Sequence, residues 1–177
     1  MTNRQRPIRI LALDISGSPG FAVVEHTPAK DAGASEKIRL VHATSIKTDS
    51  KRTDAERYAY IEATAAKLIY EYGPFDVVCR EHFVGGRNKR ASQTVFGAWA
   101  AIDLALGRFG YTIDKADEFT PAAVKKAATG SGKADKLEVE AGVRERLALA
   151  DDYVFTADDQ SDAVAVALAW IDANTTK

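Results

Sequence analysis

Four acidic residues, Asp14, Glu81, Asp159 and Asp162, occupy positions from which they could act together. Asp14 closes the aliphatic run IRILALD, and Glu81 follows the β-branched run FDVVC, so both stand at the carboxyl ends of strands. In open α/β sheets that is the edge where function gathers. Asp159 and Asp162 are three residues apart at the start of an amphipathic helix, which sets their carboxylates on nearly one face, a turn apart. Four carboxylates crowded together repel and raise one another's pKa values unless a divalent cation neutralises them. Such a set could hold two hard cations about 3.5–4 Å apart and hydrolyse a phosphodiester without a covalent intermediate. Taken singly, each acid has a plainer use: Asp14 as a turn residue, Asp158, Asp159 or Ser161 as a helix cap. The joint order of strand-end Asp, strand-end Glu and helix-start D-x-x-D is what points to chemistry.

The elements that would position these acids follow from pattern. Residues 8–14 read as a buried strand, and Gly17, Ser18, Pro19 and Gly20 as a turn. Strands over 21–26 and 38–46 flank the polar loop 28–36, so three antiparallel strands are expected first. Apolar positions recur at helical spacing over 53–72, and Gly73-Pro74 ends that helix. A short central strand over 75–79 then runs parallel to the first and delivers Glu81. Helix 92–108, a weak strand over 111–113 and a helix opened by Thr120-Pro121 come next. Gly130-Ser131-Gly132 breaks that helix, and two more are expected over 133–149 and 159–174. The sum is an α/β fold of the RNase H-like plan: a mixed five-stranded sheet, three antiparallel strands then parallel ones, flanked by helices.

Composition narrows the class. With 177 residues and 46% hydrophobic content, the chain is long enough for one domain, residues 1–177, with a proper core. No apolar run approaches the roughly 20 residues of a membrane span, so no membrane partner is expected. Cys79 is the lone cysteine, which excludes an internal disulfide and a thiolate zinc site and suits a cytoplasmic setting. His26, His42 and His82 have no zinc spacing and complete no Ser-His-Asp arrangement. A net charge of −1 excludes a uniformly basic surface, so any nucleic-acid footprint must be local.

The stretches LALDISGSPGFAVVE, VVCREHF, ASQTVFGAWAAIDLAL, PAAVKKAATGSGKADK and DDQSDAVAVALAW together resemble the RuvC-type Holliday junction resolvases, in particular phage and actinobacterial relatives, over residues 8–173. The resemblance implies that Asp14, Glu81, Asp159 and Asp162 are the metal ligands for two Mg²⁺ ions, with Mn²⁺ able to substitute. It further implies that Lys125 and Lys136 approach the scissile phosphate as catalytic cations, and that Asp158 is a cap. By the same resemblance the enzyme would cut four-way junctions as a homodimer through helix 92–108, leaving 5′ phosphates, in a bacterial or phage-infected cell. Bacterial members usually follow the first Asp with Pro-Gly, whereas here Ile15-Ser16 stands. A relaxed phage-type debranching nuclease acting on forks and flaps is the nearest alternative. A non-catalytic or ATP-binding relative of the actin-like kind is a more distant one.

Basic residues supply the expected local footprint. Arg80, Arg87, Lys89 and Arg90 cluster after the strand bearing Glu81, and Lys125, Lys133 and Lys136 surround the Gly-Ser-Gly break. Contacts from these to phosphates would position a DNA backbone without reading bases, although charges on helix faces also serve only to solvate them. Phe83 could wedge between bases or pack in the core. In helix 92–108 the small residues Gly97, Ala98, Ala100 and Ala101 would allow close packing around Trp99 at a dimer interface, while Val95, Phe96, Ile102 and Leu106 could equally cover the chain's own sheet. The Gly-Ser-Gly-Lys run fails the phosphate-loop pattern at Ala127 and Ala134.

Overall fold

The aliphatic run Ile8–Asp14 becomes β1, the middle strand of a sheet ordered β3-β2-β1-β4-β5. The computed structural model describes residues 6–29, 35–83, 85–86 and 88–175. β2 (Gly20–Thr27) and β3 (Lys37–Ser45) follow antiparallel, with Asp14 facing Gly20 in register. α1 (Asp54–Tyr72) crosses over and returns the chain to β4 (Val77–Glu81), parallel to β1. Three antiparallel strands followed by parallel ones is the expected RNase H-like plan.

Strand alternation sorts the two faces. Leu11, Leu13, Val23 and Val78 point toward α1 and α2 (Lys89–Arg108). Ile10, Ala12, Ala22, Val24 and Cys79 point toward α3 (Pro121–Thr129), α4 (Lys136–Arg146) and α5 (Asp158–Thr175). From Ala163 to Ile171 every residue of α5 is buried, so its apolar stretch is core. No described helix is long and apolar enough to cross a membrane.

Several boundaries differ from the sequence expectation, each for a local reason. Asn88 accepts hydrogen bonds from the Arg90 and Ala91 N–H groups, so α2 starts at Lys89 rather than Ser92. Asp135 and Glu138 form a capping box that sets the start of α4 at Lys136, not Lys133. β4 begins at Val77 and includes Glu81. Residues 111–113 form no strand: the Phe75 backbone N–H donates to the Tyr111 hydroxyl oxygen at 3.0 Å, and the Tyr111 ring packs beside Phe75. The fifth strand is instead Glu118–Phe119 (β5), parallel to β4. In α2, Ala98 and Ala101 are buried in the chain's own core, and a side chain on Gly97 would strike the Tyr58 ring at 2.0 Å. These small residues therefore serve the α1–α2 contact within the chain.

Candidate active site

Alternation places Asp14 on the side of Ala12 and Glu81 on the side of Cys79, both on the face covered by α3, α4 and α5. α5 brings Asp159 and Asp162 to the same edge. The approach is close: a Cβ on Gly20, opposite Asp14, would lie 1.8 Å from the Asp159 carbonyl oxygen. Only glycine lets the first turn of α5 sit against the start of β2. On the other side of that contact, the Ser16 hydroxyl donates to the Asp159 carboxylate at 3.5 Å.

The acids perturb one another. Burial pushes the Asp14 carboxyl up to about 8, helped by repulsion from Glu81, Asp162 and Asp159 and opposed by Lys136. Burial likewise lifts Glu81 to about 7, with Asp162 adding and Lys125 subtracting. Asp159 and Asp162 are raised for the same first reason, against the pull of Lys136. Lys136 is itself raised: burial works against its charge, but the Asp158 hydrogen bond and the charges of Asp162, Asp158 and Asp159 outweigh it. Its Nζ lies 3.2 Å from Asp158 and 3.9 Å from Asp162. Asp158, expected as a cap, is instead the first residue of α5 and pairs with this lysine. The neighbouring turn is held by Gln160, whose side-chain oxygen accepts from the Thr156 N–H at 3.0 Å.

Among the described residues no three His, Cys, Asp or Glu side chains are drawn into a closed ligand cluster. The donor set nonetheless fits a hard divalent cation. It is all carboxylate oxygen, half-buried, and burial together with mutual repulsion raises Asp14 and Glu81 to where they hold protons near neutral pH. A cation would replace those protons and draw the carboxylates inward.

The expected DNA contacts divide. Lys133 is exposed and Lys125 half-buried, on the acid face, and neither has a carboxylate partner within salt-bridge distance among the described residues. Lys89 and Arg90 are exposed at the start of α2, with Arg90 paired to Asp54 at 2.6 Å. Arg87 lies outside the described residues. Arg80 is a correction. Next to Glu81 in a strand, it points to the opposite face, is 8% exposed, and stacks its guanidinium 3.8 Å from the Trp99 ring centroid. It donates to Glu118 at 2.8 Å and Asp103 at 3.0 Å, and so ties β4 to β5 and α2 instead of meeting solvent. Burial would raise Glu118, but the hydrogen bonds and charge of Arg80, with His82, hold it below its ordinary value. Phe83 packs edge-on against Phe96 at 5.5 Å, and Phe96 is 53% exposed, so this aromatic pair borders solvent.

A five-stranded sheet in this order, with acids at the ends of β1 and β4 and at the start of the last helix, defines an RNase H-like, metal-dependent nuclease. Residues 10–170 match the family model for crossover junction endodeoxyribonuclease RuvC. Crossover junction endodeoxyribonucleases RuvC of Rickettsia massiliae and Rickettsia felis are 35% and 36% identical over 159 residues. Those alignments cover 89% of this chain and 93% and 94% of theirs. The chain belongs to the RuvC family. Among solved structures, Thermus thermophilus RuvC superposes with a TM-score of 0.74 at 25% identity, covering 95% of this chain and 98% of that one. T. thermophilus RuvC in complex with a Holliday junction substrate gives 0.74 at 27% identity, covering 92% of each chain. The yeast mitochondrial Holliday junction resolvase shares the fold at a TM-score of 0.59 and 11% identity, covering 93% of this chain and 78% of that one.

Proposed function

We propose that this chain is a structure-selective endonuclease that resolves four-way DNA junctions by hydrolysis, leaving 5′ phosphates. The observation that carries the proposal is the electrostatic coupling of Asp14, Glu81, Asp159 and Asp162 at one sheet edge. These four would hold two Mg²⁺ ions, with Mn²⁺ able to substitute. When bound, the ions supply Lewis acidity to the scissile phosphate and lower the pKa of an attacking water. Asp14, the most deeply set of the four, stands at the end of the middle strand β1. Lys125 and Lys136 stand as the cations nearest the acids, where they offset negative charge that a phosphate would add. Lys136 rests on Asp158 and Asp162 and can turn from them to a phosphate oxygen without leaving the cleft. Lys89, Arg90, Lys133 and the Phe83–Phe96 pair would border the bound DNA.

A homodimer through α2 would give two sites for paired nicks. In its support, Phe96 and Leu104 are 53% and 61% exposed, and with Ala100 they lie four residues apart along one face. One domain acting in the cytoplasm of a bacterial or phage-infected cell completes the proposal.

The test is cleavage of a labelled four-way junction by wild type and Asp14→Asn, in Mg²⁺ and in EDTA, beside duplex, fork and flap. Cleavage of the junction that needs both Asp14 and Mg²⁺ is expected. Equal cleavage by the two proteins, or cleavage in EDTA, would overturn the mechanism. Equal rates on all branched substrates would replace junction resolution by general debranching.

A further inference from the structure

The β3–α1 loop, residues 46–53, emerges at the same sheet edge as the acids, because β3 runs antiparallel to β2 and ends beside its start. It is fastened to the β1–β2 turn. The Ile46 N–H donates to the Pro19 carbonyl at 2.8 Å, and the Thr48 hydroxyl donates to the Gly17 carbonyl at 3.4 Å. One residue before Gly17, Ser16 touches Asp159. A single short turn therefore has the acidic cleft on one side and this loop on the other.

Beside the turn lies an open cleft walled by Lys47, Thr48, Arg52, Arg57 and Tyr60, with Asp49 and Glu56 also in its wall. Arg57 is set in place by the Thr48 hydroxyl at 3.1 Å and by Asp54 at 3.6 Å, and Arg52 is matched by Glu56 at 3.2 Å. Asp49 turns its carboxylate back onto the Lys51 backbone N–H at 2.9 Å. Lys47 and Lys51 are exposed, and neither has a carboxylate partner within salt-bridge distance among the described residues. Lys47 in the cleft and Lys51 on the same loop, two unmatched cations beside a held arginine, have the chemistry of a backbone phosphate site.

We propose that this loop is a phosphate-binding shelf for the DNA strand that leaves the acidic cleft across the β1–β2 turn. The inference rests on the reading that DNA is the substrate, and it adds residues that reading does not use. β3 lies two strands from β1, roughly 10 Å at ~4.8 Å per strand, so the shelf meets phosphates about three nucleotides from the cut at ~3.4 Å of rise each. Its cations draw the strand by charge and read no bases.

The test measures junction binding in EDTA across a salt series for wild type, Lys47→Ala/Lys51→Ala and, as control, Lys126→Ala, an exposed lysine on α3. Loss of two phosphate contacts should lower the slope of log K against log salt by about 1.8 and weaken binding at 0.1 M salt by up to ~60-fold. The control should keep the wild-type slope. Single-turnover cleavage with the double variant in saturating excess should keep the wild-type rate, since neither lysine reaches the acids. An unchanged slope in the double variant, or an equal loss in the control, overturns the shelf while leaving the nuclease reading intact. Absence of salt-dependent junction binding by the wild type would overturn both.

Discussion

Replacing Asp14 with asparagine should make the metal-free protein more stable, although it should abolish cleavage. The Asp14 carboxyl stands at about 8 in the fold, against an ordinary value of 3.8, because burial and three neighbouring acids oppose its charge. Between about pH 4 and 8 the unfolded chain has lost this proton and the folded chain keeps it. Stability therefore falls as pH rises through that window, by about 1.36 kcal/mol per unit. From 3.8 to pH 7 the loss is on the order of 4 kcal/mol, and residual solvent contact reduces it to about 2–4 kcal/mol. Asparagine keeps the shape and removes the charge. At about 2–4 °C per kcal/mol for a chain of this size, Asp14→Asn in EDTA should melt roughly 4–16 °C above wild type at pH 7. At pH 4.5 the difference should shrink to about 1 kcal/mol, because only a small part of the window has been crossed. Millimolar Mg²⁺ should raise the wild-type midpoint at pH 7 and move the variant much less, since a bound cation relieves the same repulsion. Thermal unfolding followed by circular dichroism at the two pH values, with and without Mg²⁺, measures all four quantities. A variant that melts at or below wild type in EDTA at pH 7, or by the same margin at both pH values, would refute the reasoning.

Other perturbations have equally definite outcomes. Asp159→Asn and Asp162→Asn should bind a junction with wild-type affinity in EDTA yet cleave it at least ~100-fold more slowly in Mg²⁺, as gel shift and single-turnover assays would record. Gly20→Ala should force the first turn of α5 away from β2, since its Cβ would meet the Asp159 carbonyl at 1.8 Å. We expect ~1–3 kcal/mol of destabilisation in denaturant and a cleavage rate lowered ~100-fold by the displaced acid. Arg80→Met should keep the stacking area on Trp99 but leave Glu118 without its cation, lowering stability by about 2–4 kcal/mol in urea titration. Its salt dependence of junction binding should match wild type, which a DNA-contacting arginine would not allow.

The acids were legible because a strand-end position and a D-x-x-D spacing at a helix start are properties of the local sequence. What lay hidden depended on partners far away in the chain. Arg80 reads as a DNA contact beside Glu81, yet period-2 alternation turns neighbouring strand residues to opposite faces, and the carboxylates that hold it come from residues 103 and 118. That alternation was present in VVCRE and could have been used. β5 has two residues, too few for any period, and its place is set by pairing with β4 and by the Arg80–Glu118 bond. Residues 111–113 have the apolar alternation of a strand, but Tyr111 is spent on Phe75. Asp158 looks like a cap from its position, and only the fold brings Lys136 to it. The proposed β3–α1 shelf left no signal because Lys47, Lys51 and Arg52 are ordinary loop cations until the Thr48–Gly17 bond fastens their loop to the turn that touches Asp159.

The close seat of Asp159 against Gly20 also governs when the protein can first act. Asp14 and Asp159 are separated by more than 140 residues of chain, and the first turn of α5 packs directly on the strand that follows Asp14. During synthesis Asp14 and Glu81 emerge on a sheet whose face is still bare, and no arrangement of those residues alone completes the acid set. On the proposed reading of the four acids, a chain that ends before α5 should not cleave a junction.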